Sequence, residues 1–264
     1  HHFGTVIWAK YAGGNIPSDY EYYRNNGVKD DANVYVKGTY KLTRVLDIYG
    51  DIQTRKINYS IDGKDDDNRN VTQEHNYTFF NPKGGIYIHQ GALSAYASIA
   101  QAHREPTRSN FTDTDTSKSL PKPERLIDFE AGALYKTENL ALQATYYYMT
   151  YKNQLVLTGN VNDVGSPLME NVNKSYRQGI EMSATAKINS KLEWTVLGSL
   201  SQNKILDFVS YIDDWDTWGQ QLDTLASTTI AFSPSVVAGS MLTIRPIKGL
   251  SIVLSDNFVG EQFI

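Results

Sequence analysis

The chain has 264 residues, a formal net charge of −4 and no cysteine. The acidic balance leaves no basic footprint for nucleic acid, and without thiols neither a disulfide framework nor a thiolate metal site can form. Mean hydropathy is −0.42 and no apolar run approaches the roughly 18 residues of a spanning helix; a membrane barrel stays open, because strands that alternate apolar and polar residues average out as mildly polar.

The start, His1-His2-Phe3, lacks the charged and apolar regions of a signal peptide, so an envelope protein beginning here is a mature chain or an internal piece. A first strand over roughly 3–12 alternates poorly, and a long polar connection follows over roughly 13–31. Tyr20, Tyr22, Tyr23 and Arg24 cluster there, where they can contact a ligand or pin the loop. The next strands are clearer. Over roughly 32–43, Val34, Val36 and Tyr40 oppose Asn33, Lys37 and Lys41; over roughly 46–60, Leu46, Ile48 and Ile52 oppose Asp47, Asp51 and Gln53. The turn between them is Thr43-Arg44-Val45. A polar connection over roughly 61–73 holds Asp65-Asp66-Asp67-Asn68, whose oxygens resemble a calcium loop but lack its spacing and terminal Glu, so a solvated tip is the simpler reading.

Strands over roughly 74–89 and 92–104 are joined at Gln90-Gly91. His103, Arg104 and Arg108 then border a connection over roughly 105–125. The two arginines can meet an anionic ligand, but pairing that anchors loops is the reading we favour, and a lone His is more often structural than a ligand. Strands over roughly 126–136 and 140–157 meet at Thr137-Glu138-Asn139; in the second, Leu140, Leu142, Ala144, Tyr146 and Tyr148 share one face. After a connection over roughly 158–173 come strands over roughly 174–188 and 191–208, joined at Asn189-Ser190. The connection over roughly 209–228 is the richest, with Asp213-Asp214-Trp215-Asp216-Thr217-Trp218; aromatics beside carboxylates can stack on and bond a sugar, macrocycle or chelate, and Trp215 and Trp218 are candidates for that contact. Strands over roughly 229–246 and 249–262 close the chain, with the turn Pro246-Ile247-Lys248-Gly249 between them.

About eleven strands result, several near the length a tilted strand needs to cross a bilayer, and short and long connections strictly alternate. The expectation is an all-β, antiparallel transmembrane barrel segment with short periplasmic turns and long extracellular loops. An odd count cannot close, so further strands are expected elsewhere in a parent chain. Glu130, Glu181, Lys83, Lys187, Asp47 and Arg55 then face a wet interior, where they set wall electrostatics. With 18 Tyr, 4 Trp and 9 Phe, the chain is also rich in the residues of aromatic girdles. No G-x-S-x-G, H-E-x-x-H, P-loop or G-x-G-x-x-G motif occurs, no His residues share a ligand spacing, and neither an enzyme nor a bound cofactor or metal is expected.

Several segments resemble, in order, the C-terminal half of the barrel of TonB-dependent outer-membrane receptors, especially those of Bacteroidota. Phe80-Asn81-Pro82-Lys83-Gly84-Gly85-Ile86 is similar to the family's "FNPKAGL" strand start, and Ser94 to Arg108 to its "YASYARAFREPT" segment. Pro123-Glu124-Arg125 through Glu130-Ala131-Gly132 resembles a "PE…ElG" strand, Tyr147 to Leu155 the "fyMdYkdQL" stretch, and Asn173 to Glu181 "nks.r.GiE". Phe232-Ser233-Pro234 and Phe258-Val259-Gly260 also fit.

The resemblance implies that residues 1–264 are part of a 22-stranded barrel whose plug domain and final strands lie outside this chain. It implies import of a scarce nutrient across the Gram-negative outer membrane, a ferric siderophore first, with haem, cobalamin or a glycan as alternatives. Implied partners are outer-membrane lipid, a small-molecule or metal-chelate ligand, and the TonB-ExbB-ExbD system acting through the plug. A passive or adhesive barrel and a soluble all-β module are the competing readings.

Overall fold

The computed structural model describes residues 2–7, 19–66, 68–113, 120–161, 167–214, 216 and 219–263. Its elements in order are β1 (His2–Val6), β2 (Tyr20–Lys41), β3 (Leu46–Gly63), β4 (Gln73–Gln90), β5 (Leu93–Arg104), α1 (Arg108–Thr112), β6 (Glu124–Lys136), β7 (Leu140–Lys152), β8 (Gln154–Val161), β9 (Pro167–Val172), β10 (Lys174–Asn189), β11 (Leu192–Asp214), β12 (Gly219–Thr229), β13 (Val236–Ile244) and β14 (Ile252–Val259). One antiparallel sheet runs β1-β2-β3-β4-β5-β6-β7-β10-β11-β13-β14, with β12 paired to the upper part of β11. Those in-line strands are the eleven expected from the alternation. Strands β8 and β9 form a separate hairpin.

The short turns are written in local chemistry. Thr43 Oγ1 accepts the amides of Val45 and Leu46 at 3.2 and 3.0 Å. Thr137 Oγ1 accepts Leu140 N–H at 3.1 Å, and Asn189 Oδ1 accepts Lys191 N–H at 2.8 Å. Such side-chain closures hold a tight reversal without a long loop. Gly91 adopts φ +59°, a left-handed turn position that suits a residue without Cβ.

The two faces of the sheet differ as the pattern predicts. On one face Val34 and Val36 are 73% exposed and Ile99 58% exposed, with Ile52, Leu142, Ile180, Met182, Leu200 and Leu254 also open. A contiguous apolar face of this extent is not left to water. The opposite face, which α1 packs against, carries Asp51, Lys83, Glu130 and Glu181, and buries Ser98, Thr145 and Ser175. We call these the outer and inner faces.

Tyrosine–glycine pairs stitch the inner face. Tyr49 lies directly opposite Gly85, Tyr96 opposite Gly132 and Tyr147 opposite Gly179. A Cβ on Gly132 would sit 2.5 Å from the Tyr96 ring, and one on Gly179 2.7 Å from Tyr147 Oη. The ring lies flat over the neighbouring strand and covers backbone that glycine leaves bare, so each pair is one packing unit.

The connections read as loops are more ordered than sequence suggested. Strand β2 begins at Tyr20 rather than near residue 32, because Asn25 to Lys41 pair without interruption with Asp47 to Gly63 of β3. The polar run Asn25-Asn26-Gly27-Val28-Lys29-Asp30-Asp31 is therefore strand, held by its partner against its own weak propensity. The strand expected over 140–157 ends at Lys152, where Asn153 at φ +56° turns the chain, and β8 from Gln154 pairs with β9 as a separate hairpin in place of the 158–173 loop; the 209–228 connection is largely β11 and β12. The strand expected over 229–246 starts only at Val236, since a turn with Phe232 at φ +53° and Pro234 interrupts it. The first strand ends at Val6, and residues 8–12 of its expected span lie outside the described residues.

Candidate functional site

At the long-loop end, the inner face of β2–β5 carries two layers. The lower is an ion-pair network. Arg55 of β3 donates to both Glu105 oxygens at 2.9 and 3.0 Å and to Asp31 of β2 at 2.9 Å. Lys29 also pairs with Glu105. Asp31 sits opposite Ile57 and Lys29 opposite Tyr59, so strand alternation aims all these groups to one side. Burial would raise the Glu105 carboxyl, but hydrogen bonds from Lys29 and Arg55 outweigh it and hold the group below its ordinary value.

The upper layer is aromatic. His75, Tyr77 and Phe79 recur at every second residue of β4 and stack in sequence, His75 on Tyr77 at 6.2 Å and Tyr77 on Phe79 at 5.6 Å. Phe111 of α1 caps His75 at 3.9 Å, and His103 of β5 lies parallel to Phe79 at 5.1 Å. Ile61, Val71 and Phe111 form the buried centre, flanked by Tyr59 and Tyr77. Burial pushes the His75 imidazole below its usual value. Pairing of β4 with β5 stops at Lys83–Ala100, next to Pro82, which has no N–H to give. Beyond it side chains close the seam: Gln101 donates to the Phe80 carbonyl at 3.2 Å, and His103 Nδ1 meets Asn81 Oδ1 at 2.9 Å.

The loops are joined to one another. Asn110 of α1 donates to Met169 of β9 at 3.3 Å. Asn171 of β9 takes the Lys122 amide at 2.7 Å and returns its own amide to the Lys122 carbonyl at 2.9 Å. Val156 and Val172 of the hairpin pack on Ile205 and Ile230, with Phe208 alongside.

The residues singled out from sequence fall into this frame unevenly. Arg104 binds Glu124 at 2.8 Å, and the same carboxylate takes the Leu155 amide at 2.6 Å, so it ties β5 and β6 to the hairpin. Arg108 donates to Asn25, which in turn donates to the Lys64 carbonyl at 2.8 Å. Both arginines thus anchor loops, as favoured from sequence. Tyr20 and Tyr22 are exposed at the tip of β2, and the Tyr22 and Tyr23 rings meet edge-on at 6.3 Å. Tyr22 is the extra residue of a bulge, since Thr5 faces Glu21 while Gly4 faces Tyr23. Arg24 pairs with Glu21 and lies over the Phe3 ring at 5.2 Å. Trp215 and Trp218 lie outside the described residues. Of the acidic run, Asp67 is also outside them, and the Asp65 carboxylate is taken by Arg69, whose backbone and side-chain nitrogens each donate at 2.8 Å.

Sequence reasoning missed Lys29, Asp31, Glu105, His75 and Phe111 as a group. The signal was the His75-Tyr77-Phe79 alternation, and parity would have aligned Lys29 and Asp31 with Arg55 had β2 been extended downwards in number.

Comparison with known proteins decides what this scaffold is. Residues 3–244 match the family described as TonB dependent receptor-like, beta-barrel. The chain belongs to the TonB-dependent receptor family. That family is one of Gram-negative outer-membrane proteins that import small ligands with TonB. A curated member, the pesticin receptor of Yersinia enterocolitica serotype O:8 / biotype 1B, is 26% identical over 110 residues, covering 41% of this chain and 16% of that protein. Among solved TonB-dependent receptors, the ferric-catecholate import receptor Fiu from K12 E. coli superposes with TM-score 0.67 at 16% identity over 89% of this chain and 35% of its own. The ferric yersiniabactin uptake receptor FyuA from Yersinia pestis superposes at 0.64 and 19% identity over 92% of this chain and 36% of its own. At such identities the likeness is one of fold, and the chain spans about a third of those receptors' length.

Proposed function

We propose that this chain supplies part of the wall and part of the ligand-binding mouth of an outer-membrane receptor for active, TonB-driven nutrient uptake, with a ferric siderophore as the cargo. The observation that carries this reading is the organised mouth. An inner face that is polar lower down ends, at the loops, in stacked rings and a shared guanidinium–carboxylate network, tied to three connections by specific hydrogen bonds. A passive channel has no need of such a structure. The names of the fold relatives, a ferric-catecholate import receptor and a ferric yersiniabactin uptake receptor, support iron chelates as the first ligand class.

Contact with the ligand falls to the groups of the long connections: Tyr20, Tyr22, Tyr23 and Arg24 at the start of β2, Trp215 and Trp218 in the segment between β11 and β12, and Arg104 and Arg108 bordering the 105–125 connection. Aromatic rings give a flat, rigid surface for a chelate, and guanidinium groups pair with its negative charge. The outer face meets lipid, and TonB with ExbB and ExbD acts through a plug domain borne by the parent receptor. No role in catalysis is assigned.

The test is uptake of radiolabelled ferric siderophores by cells carrying or lacking the receptor gene. Saturable uptake that disappears on deletion of tonB or on collapse of the proton gradient supports the reading. Receptor-dependent uptake indifferent to tonB would replace it with passive diffusion. TonB-dependent uptake of haem, cobalamin or a glycan in place of iron chelates would keep the mechanism and change the cargo.

A further inference from the structure

We infer that the turn end of the inner face is a binding site for anionic cargo at the point where it leaves the barrel for the periplasm. This rests on the proposed passage of cargo along the inner face, and it adds an exit site and a charge class for what is carried. The chain has a net charge of −4, yet this end of it has the opposite sign. Over 136–141, 187–193 and 243–251 stand Lys136, Lys187, Lys191, Arg245 and Lys248, against Glu138 and Glu193.

Register places four of these cations on the inner side. Leu192 pairs with Ile244 and Ala186 with Trp194 on the outer face, so the residues that alternate with them point inward. Lys187 is directly opposite Glu193. Lys191 faces Arg245 one step beyond the Leu192–Ile244 pair, and the Arg245 N–H donates to the Lys191 carbonyl at 2.7 Å. Lys136, opposite Ala141, and Lys187, whose N–H donates to the Asn139 carbonyl at 2.8 Å, carry the arc across β6, β7 and β10. Lys191, Arg245 and Lys248 line a cleft of about 410 Å³ between the β10–β11 and β13–β14 turns, together with Ser190 and Ser251. Arg245 reaches Glu193 only loosely, at 3.6 Å, and Lys136, Lys187 and Lys191 have no ion-pair partner among the described residues.

Between the carboxylates of the wall and this arc the inner face is neutral. From Glu181 to Lys187 the inward residues of β10 are Ser183 and Thr185, flanked by Gln143 and Thr145 of β7 and by Thr195 and Ser199 of β11. The Thr185 and Thr195 hydroxyls meet at 3.0 Å. Gln143, Thr145, Ser183 and Ser199 line a second cleft, of about 320 Å³, that begins at Glu181. The wall thus passes from negative to positive along about 20 Å of strand. An anion beyond Glu181 is pushed from behind and drawn to the rim, and low-dielectric walls focus that field. Cargo is favoured over lipid as the occupant because these cations turn to the inner side, while Leu192, Trp194 and Ile244 hold the outer one. Exposed cations on flexible stems hold an anion loosely and without fixed geometry, which suits release rather than capture.

The test uses the full-length receptor in neutral detergent, with a bimane fluorophore on I247C, a turn position that is 68% exposed beside the cleft. Two paramagnetic quenchers are titrated, the trianion tris(oxalato)chromate(III) and the neutral tris(acetylacetonato)chromium(III). The trianion is expected to quench saturably and the neutral chelate only in linear, collisional fashion. Adding K187Q/K191Q/R245Q should weaken trianion binding by about tenfold or more at low ionic strength, where exposed charges are least screened. Equal affinity in that variant, or saturable quenching by the neutral chelate, would overturn the site. Displacement of the trianion by hexaglutamate at a lower concentration than its own half-saturation would overturn the cargo and make the rim a docking site for an acidic protein segment. The substitutions separate like charges, so the Tm is expected to hold; K191Q alone, with a partial loss, is a second check on folding. In cells the triple variant should lower the maximal uptake rate of an anionic ferric siderophore by about threefold or more, leave its half-saturating concentration unchanged, and spare a neutral one. An equal fall for both would overturn the exit role. Absence of any ferric uptake by the native receptor would instead count against the proposed cargo, because the titration in detergent decides the rim by itself.

Discussion

At the scale of single residues, the inner wall depends on pairs chosen together. Gly179 admits the Tyr147 ring, and a Cβ there would also fall 2.5 Å from the Leu200 carbonyl. Gly179→Val should therefore destabilise the barrel by about 1–3 kcal/mol, the usual range for overpacking. Adding Tyr147→Ala should restore only part of this, because the backbone contact remains. Unfolding of the refolded receptor in urea, followed by the shift in gel mobility on heating, measures both; full recovery in the double variant would show that the tyrosine alone sets the constraint. Arg55 illustrates another kind of pairing, one guanidinium shared by Asp31 and Glu105. Those carboxylates repel each other without it, so removing the guanidinium would leave two partly buried charges uncompensated.

The element that matters most is α1. Five residues cannot hold a helix alone; Phe111 on His75, Arg108 on Asn25 and Glu105 on Arg55 hold it. Phe111→Ala should remove about 3–5 kcal/mol of local packing. Amide exchange over 105–113 is expected to approach that of an open loop, while β3, β4 and β6 keep their protection; loss of protection in the strands as well would mean that α1 is part of the wall's cooperative unit. Acid should loosen the same element. Glu105 has a folded pKa below its unfolded value, so its stabilisation is present above the unfolded value of about 4.3 and is lost as pH falls through the folded one. Neutral His75 is likewise favoured by burial, and its contribution is complete above about pH 6.5 and is lost as the buried ring is forced to charge. Exchange over 105–113 should then rise on acidification below about pH 6.5, first through His75 and further through Glu105. His75→Phe should remove the first phase and leave the second; two unchanged phases would assign the first to another group.

For the whole molecule, the alternation of faces is the central physical fact. Met182 is 47% exposed on the outer face, while its neighbour Ser183 faces inward opposite Leu197 and Gln143. Met182→Arg should cost about 2–4 kcal/mol if placed near the middle of a bilayer, and Ser183→Arg little, since its side faces a wet interior. The amount of folded receptor in the outer-membrane fraction should fall for the first variant and hold for the second. Equal behaviour of these adjacent substitutions would contradict a wall between lipid and water.

Much of this was written in the sequence. Leu140, Leu142, Ala144, Tyr146 and Tyr148 at every second residue, and the Thr43, Gly91, Thr137 and Asn189 turns, determined the eleven in-line strands of the wall, the hairpins that join them and which side chains share a face, because these depend only on residues a few positions apart. The fate of the polar connections was not legible there. Val28 to Asp31 became strand only because β3 offered a full ladder, and α1 took its place through contacts such as Arg55 with Glu105, 50 positions apart, and Asn25 with Arg108, 83 apart. Such contacts are selected by the pairing of strands distant in sequence rather than by local propensity, so the mouth was decided by the tertiary structure and the wall by the sequence.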